Sequence, residues 1–92
     1  MIVVTRHKSL VEYLRQEGII DDNCTVIEHA SPAEVRGQHV VGVLPLRLAA
    51  LAASVTEIPL DIPAELRGTE LGIEDIRRYA GKPVTYRVEE MS

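Results

Sequence analysis

The sequence predicts a single small α/β domain: a Rossmann-like, mostly parallel sheet flanked by helices. Three observations predict it. Short β-branched and aliphatic runs lack polar alternation, as strands covered on both faces do. They alternate with segments that carry helix start and stop signals, and parallel neighbours need such crossover connections, which are nearly always right-handed. A chain of 92 residues has interior enough for one core and not for two.

Residues 2–5, Ile-Val-Val-Thr, form the first predicted strand, which ends at Arg6-His7-Lys8. Ser9 and Glu12 have capping-box spacing, so a helix is expected from there. Its apolar stripe is Leu10, Val11 and Leu14, with Arg15, Gln16 and Glu17 toward water and Gly18 as its C-terminal cap. Residues 25–27 are a second strand closing at Glu28-His29, followed by a second capping box, Ser31 with Glu34, with Pro32 at the first helical position. Gly37 stops that turn.

Residues 40–44 predict a third buried strand, and Pro45 then opens a helix over residues 45–54 that is apolar nearly all round. Residues 58–62 are read as the fourth strand, with Pro59 arguing for an edge or a bulge. Past Pro63 comes a loop with Glu65, Arg67, Gly68 and Glu70. A helix over residues 73–79 holds Glu74 and Asp75 in its first turn, where the helix dipole favours acids, and Gly81 ends it. Residues 84–88 alternate Val84, Tyr86 and Val88 with Thr85 and Arg87, the period of a half-exposed strand at an edge or a dimer contact. There is no internal repeat, low-complexity tract or linker.

Composition narrows the function classes. The apolar fraction of 46% is almost wholly aliphatic, with three Tyr, no Phe and no Trp, so aromatic platforms are not the main way this protein holds bases. Ten Lys and Arg against fourteen Asp and Glu give a net charge of −4, which excludes a protein-wide field for long nucleic acids but leaves room for a local basic cluster. The lone Cys24 excludes an intramolecular disulfide and a cysteine-based zinc site. No apolar run is long enough to cross a membrane and no basic leader precedes residues 2–5. A soluble, unprocessed, cytoplasmic protein is expected.

A parallel sheet of this kind holds its ligand outside the carboxyl ends of its strands. Arg6, His7 and Lys8 follow the first predicted strand, His29 the second, Arg47 the third and Arg67 the fourth. Four of the ten cations therefore fall on one predicted edge, where helix N-termini also favour phosphate; the alternative is that basic residues are simply common in loops. Arg6 reads as a phosphate clamp or as a structural ion pair. His7 reads as a general acid or base, histidine being the residue that titrates near neutrality, or as a solvated side chain. Lys8 is a steering charge or a solvated one. Ser9 is first a helix cap and second a ligand contact. His29 stands beside the mouth, and His39, before a strand, belongs to the opposite edge. Arg67-Gly68 is an anion-binding turn or a plain turn with a paired arginine; Glu65 and Glu70 are expected to pair with nearby arginines. The three histidines lack metal-site spacing, and no dinucleotide fingerprint, P-loop or nucleophile elbow is present, so neither metal nor cofactor is expected. Ala49, Ala50, Ala52 and Ala53 give the helix expected over residues 45–54 a small, close-packing face, which predicts a homodimer.

Three stretches, Val3-Val4-Thr5-Arg6-His7 leading to Tyr13-Leu14, Val41-Gly42-Val43-Leu44-Pro45-Leu46-Arg47-Leu48-Ala49-Ala50 and Pro63-Ala64-Glu65-Leu66-Arg67-Gly68-Thr69-Glu70-Leu71, together resemble the small CRISPR-associated (Csx-type) ring nucleases of type III CRISPR systems. The similarity runs over residues 2–81 and lies in the ordered combination and its spacing. It implies a Rossmann-like fold related to cyclic-oligoadenylate sensor domains, a dimer, and metal-independent cleavage of cyclic oligoadenylate, above all cyclic tetra-adenylate, which would switch off type III signalling in antiviral defence. The resemblance carries Arg6 and His7 from the first stretch and Arg67 and Glu70 from the last onto this sequence: Arg6, His7 and Arg67 are the expected catalytic residues, and Glu70 joins Lys8, Ser9, His29, Pro45, Arg47 and Gly68, placed by the strand-end reading, as the expected ligand contacts. Lys8-Ser9 stands where relatives are expected to have proline-glycine. Two other classes remain open at this point: a sponge that sequesters the same messenger uncut, and a CRISPR protein-interaction subunit that binds no nucleotide.

Overall fold

The computed structural model describes residues 1–92. In chain order the elements are β1 (Ile2–Val4), α1 (Lys8–Gln16), β2 (Thr25–Ile27), α2 (Pro32–Val35), β3 (His39–Gly42), α3 (Leu46–Ala49), β4 (Ser54–Glu57), a 3-10 turn (Ala64–Leu66), α4 (Ile73–Tyr79) and β5 (Val84–Tyr86). The sheet order is β2-β1-β3-β4-β5, with β1 to β4 parallel and β5 antiparallel to β4. The predicted α/β class is therefore found, in the doubly wound order in which the direction of strand addition across the sheet reverses between β1 and β3.

Both faces of the sheet are covered, which is why its central strands read as unbroken apolar runs. Along β3, Val40 points into a core with Val35, Leu48, Ala49, Ala52 and Val55. Its neighbour Val41 points into a second core with Val3, Leu14, Ile20 and Ile58, as the two-residue period of a strand requires. Helices α1 and α4 pack together, as do α2 and α3. Leu14 is fully buried, a burial that stabilises the fold by about 1.5–3 kcal/mol.

Local signals act where the chemistry asks them to. Gly18 takes φ 72° just past α1, where its amide donates to the Arg15 carbonyl and that of Ile19 to the Leu14 carbonyl, the double bond that closes a helix on a left-handed residue. Ser31 and Glu34 form the reciprocal capping box expected of them, with Pro32 opening α2.

Four expectations are corrected. The helix expected over residues 45–54 is a single turn, α3, and the fourth strand is Ser54–Glu57 rather than residues 58–62. Turns over residues 50–53 are tied down by the Gly37 amide on the Leu51 carbonyl and the Ala53 amide on the Gln38 carbonyl. They re-aim the chain before Val55 can continue a helix. Pro59 thus lies beyond β4, where no ladder donor is missed. Second, the alanine face is only partly free: Ala49 and Ala52 are buried within the monomer, Ala50 is half-buried and Ala53 is exposed, so a dimer contact cannot be argued from Ala49 and Ala52. Third, Ser9 does not cap α1. The helix begins two residues earlier than a Ser9 cap would place it, with His7 at the N-cap and no side-chain cap, and Glu12 accepts from Gln16 instead of reaching back. Fourth, β5 is an edge strand as expected, but it stops at Tyr86 and all three of its residues are exposed.

Candidate functional site

The carboxyl ends of β1, β2 and β3 form a rim around two adjoining hollows. The first, of 290 Å³, is lined by Thr5, His7, Leu10, Gly42, Ile58 and Leu60 among others. The second, of 260 Å³, includes His29, Pro45, Arg47 and Leu48 in its wall. Val4, Glu28 and Val43 line both. Each hollow alone is at or below the lower end of the range of ligand pockets, roughly 300–1,000 Å³, and together they fall inside it. They sit at the switch point, where consecutive crossovers leave β1 and β3 in opposite directions and no connection covers the strand ends.

The backbone brings the rim residues there. Thr5 continues β1 by donating its amide to the Ile27 carbonyl, and its hydroxyl accepts from the His7 amide. The chain then turns straight into α1. The amides of Lys8 and Ser9 make no backbone hydrogen bond, as befits the first turn of a helix, and are free for an anion. Arg6 extends from β1 toward the end of β2, its Nη2 standing 3.5 Å from Nδ1 of His29. Gly42 is the last residue of β3, at φ 138°, and a Cβ there would overlap the Val4 carbonyl oxygen. Only glycine lets β1 and β3 approach so closely at the floor of the site.

Of the residues singled out in the sequence, the structure brings Arg6, His7, His29, Pro45 and Arg47 to this rim, with Lys8 and Ser9 in the adjoining helix turn. Arg67, Gly68 and Glu70 line neither hollow. Arg67 donates through Nε to the Ile62 carbonyl at 3.3 Å, beside a turn in which Gly68 has φ 84°. Neither Glu65 nor Glu70 forms the arginine pair expected of it; the ion pairs are Arg15–Asp22, Arg77–Glu17 and Arg87–Glu89. His39 opens β3 at the far edge as expected, with Nδ1 2.6 Å from the Ser54 hydroxyl. No group of three or more His, Cys, Asp or Glu side chains is placed to hold a metal ion. Sequence reasoning missed Glu28 and the floor glycine Gly42. The signal for Glu28 was its place as first residue after a predicted strand, the same signal that singled out His29.

Every ionisable side chain at the rim keeps contact with water, since no polar or charged residue is buried anywhere in the chain. The cations there are held by backbone placement rather than by enclosure. The arrangement suits a ligand that brings several negative charges and covers the rim as it binds.

Fold and rim define a small α/β domain with a candidate ligand site at the carboxyl ends of its parallel strands. The chain belongs to a family of CRISPR-associated proteins: the family model described as "Putative CRISPR-associated protein (Cas_VVA1548)" matches residues 2–89. No curated protein and no solved structure matches it. No helix is long and apolar enough to cross a membrane.

Proposed function

We propose that this CRISPR-associated protein is a ring nuclease that binds cyclic tetra-adenylate at the switch-point rim and opens it. The observation that carries the reading is the gathering of Arg6, His7, His29 and Arg47 around the two joined hollows, next to the free amides of Lys8 and Ser9. In the reaction, a ribose 2′-hydroxyl gives up its proton to water as its oxygen bonds to the adjacent phosphorus, and the bond from phosphorus to the next nucleotide's 5′-oxygen breaks. The products are a 2′,3′-cyclic phosphate and a 5′-hydroxyl. Such a transfer asks a protein mainly for in-line geometry and for stabilisation of the extra negative charge. Arg6 clamps the scissile phosphate, His7 supplies the proton taken up by the departing 5′-oxygen, and the helix amides donate hydrogen bonds to the non-bridging oxygens. Arg67 and Gly68 contribute a second phosphate contact from their turn, beside Glu70, with the terminal nitrogens of Arg67 still available. No metal is required in this scheme. A ring of four identical nucleotides suits a twofold dimer, and the exposed Val43 and Leu46 beside the rim supply its apolar contact. Ring opening in the cytoplasm would end type III signalling.

Purified protein incubated with cyclic tetra-adenylate, with and without chelator, is expected to give linear di-adenylate species on chromatography, the product of two such cuts. Intact ring after prolonged incubation with excess protein removes the enzyme reading. One observation favours sequestration as the second reading: a rim with no buried charged group lacks the dry, pre-set electrostatics that most accelerate such a step. Tight binding of ring recovered uncut selects it.

A further inference from the structure

Glu28 is the first residue after β2 and the one polar side chain shared by both hollows, their other common walls being Val4 and Val43. It forms no ion pair with Arg6, Arg47 or any other cation, and it takes part in no side-chain hydrogen bond. An ionised carboxylate only accepts hydrogen bonds. A phosphate offers it no donor and repels it, so in a rim otherwise suited to anions Glu28 lacks a partner unless the ligand carries hydroxyl or amino groups as well. In the dinucleotide-binding sheets of this doubly wound class, an acidic residue some way past the first helix takes the ribose hydroxyl while the phosphate lies at that helix's start; the glycine fingerprint of those sheets is absent here, and the parallel is one of position alone. Glu28 holds that place in this topology: β2 pairs with β1, and β1 leads into the turn that carries Arg6 and the free amides of α1.

We propose that Glu28 is the residue by which this rim reads ribose. Its carboxylate accepts a hydrogen bond from the 2′-hydroxyl of a bound ribonucleotide, whose phosphate lies toward Arg6, His29 and the start of α1. The inference rests on the rim being a nucleotide site, though not on cleavage there. A 2′-deoxy ligand meets the same negative charge without the compensating bond, so the site discriminates against it.

Adenosine 5′-monophosphate and its 2′-deoxy analogue, titrated into the full chain and followed by amide chemical shifts, provide the test. The ribonucleotide is expected to bind roughly tenfold more tightly, the worth of one hydrogen bond to a charged group. In Glu28→Ala the ratio falls to about one because the deoxy analogue binds as well as before or better. In Glu28→Gln part of the preference survives, since the amide oxygen still accepts. Equal binding of the two probes by the unaltered protein, binding of neither, or a preference that persists in Glu28→Ala overturns the proposal. Cleavage of cyclic tetra-adenylate is scored separately on the same preparations. A ribose preference that depends on Glu28 without ring opening removes the nuclease and keeps this inference; ring opening with a preference indifferent to Glu28 does the reverse.

Discussion

Arg6 and His29 meet across the ends of two parallel strands, with guanidinium Nη2 3.5 Å from imidazole Nδ1. Neither side chain has a carboxylate partner. The guanidinium can only donate, so Nδ1 of His29 accepts and holds it in place, and the remaining guanidinium N–H groups are left without a carboxylate and open to an anion.

Replacing Arg6 by alanine is therefore expected to weaken cyclic tetra-adenylate binding by roughly 10- to 100-fold, the range for a charge-assisted contact. The dependence of affinity on salt should also become shallower, because one fewer cation is engaged. Calorimetry at two salt concentrations reads both effects. Unchanged affinity would remove Arg6 from the site.

Gly42 makes a prediction about stability. Its φ of 138° and the proximity of the Val4 carbonyl leave no room for a side chain between the two central strands. Gly42→Ala should cost about 1–3 kcal/mol from backbone strain alone, with the overlap adding to it. Urea unfolding with an unchanged slope measures the loss, and a variant as stable as the parent would mean that β1 and β3 are farther apart than described.

Much of this architecture was legible because both faces of the sheet centre are covered: β1 and β3 read as unbroken apolar runs, the edge strand β2 was marked by its β-branched residues although Thr25 and Val26 are exposed, and Ser31, Gly18 and the α4 acids marked their turns correctly. The failure at residues 45–62 has a physical cause. Leu48, Ala49 and Ala52 satisfy helical spacing and are all buried, yet they are buried from one turn of helix and the turns after it. Periodicity reports which residues face the core and not whether the chain remains helical between them. What ends α3 is a pair of long-range backbone bonds to Gly37 and Gln38, which no local window contains. At the rim, Arg6, His7, His29 and Arg47 were recognisable as cations past strand ends. Glu28 stands at an equivalent position, but its charge is opposite to that expected of an anion site, so charge of one sign does not single it out.

The two capping sequences separate in the same way. Ser31 and Glu34 bond reciprocally, whereas Ser9 lies inside the first turn of α1. Ser31→Ala should lower stability by about 1 kcal/mol, while Ser9→Ala should stay within about 0.5 kcal/mol. Thermal unfolding of the pair decides it; equal losses would show that α1 begins at Ser9 after all.

The dimer expected in the proposed function now depends on different residues. Since Ala49 and Ala52 are enclosed by the monomer core, they have no face to offer. Val43 and Leu46 are 72% and 77% exposed, and with Leu44, Tyr86 and Val88 they line an apolar groove between the end of β3, α3 and the edge strand β5. Exposed aliphatic side chains that adjoin one another lose water together when a second copy covers them. A twofold contact counts each of them twice. Leu46→Asp places a charge in that contact without touching the core, so the variant should remain folded and elute with the mass of one chain where the parent elutes as two. Light scattering coupled to size exclusion, with circular dichroism to confirm folding, measures it. A parent that is monomeric at all accessible concentrations, or a Leu46→Asp variant that stays dimeric, would require the messenger to be held by a single rim or the contact to lie elsewhere on the surface.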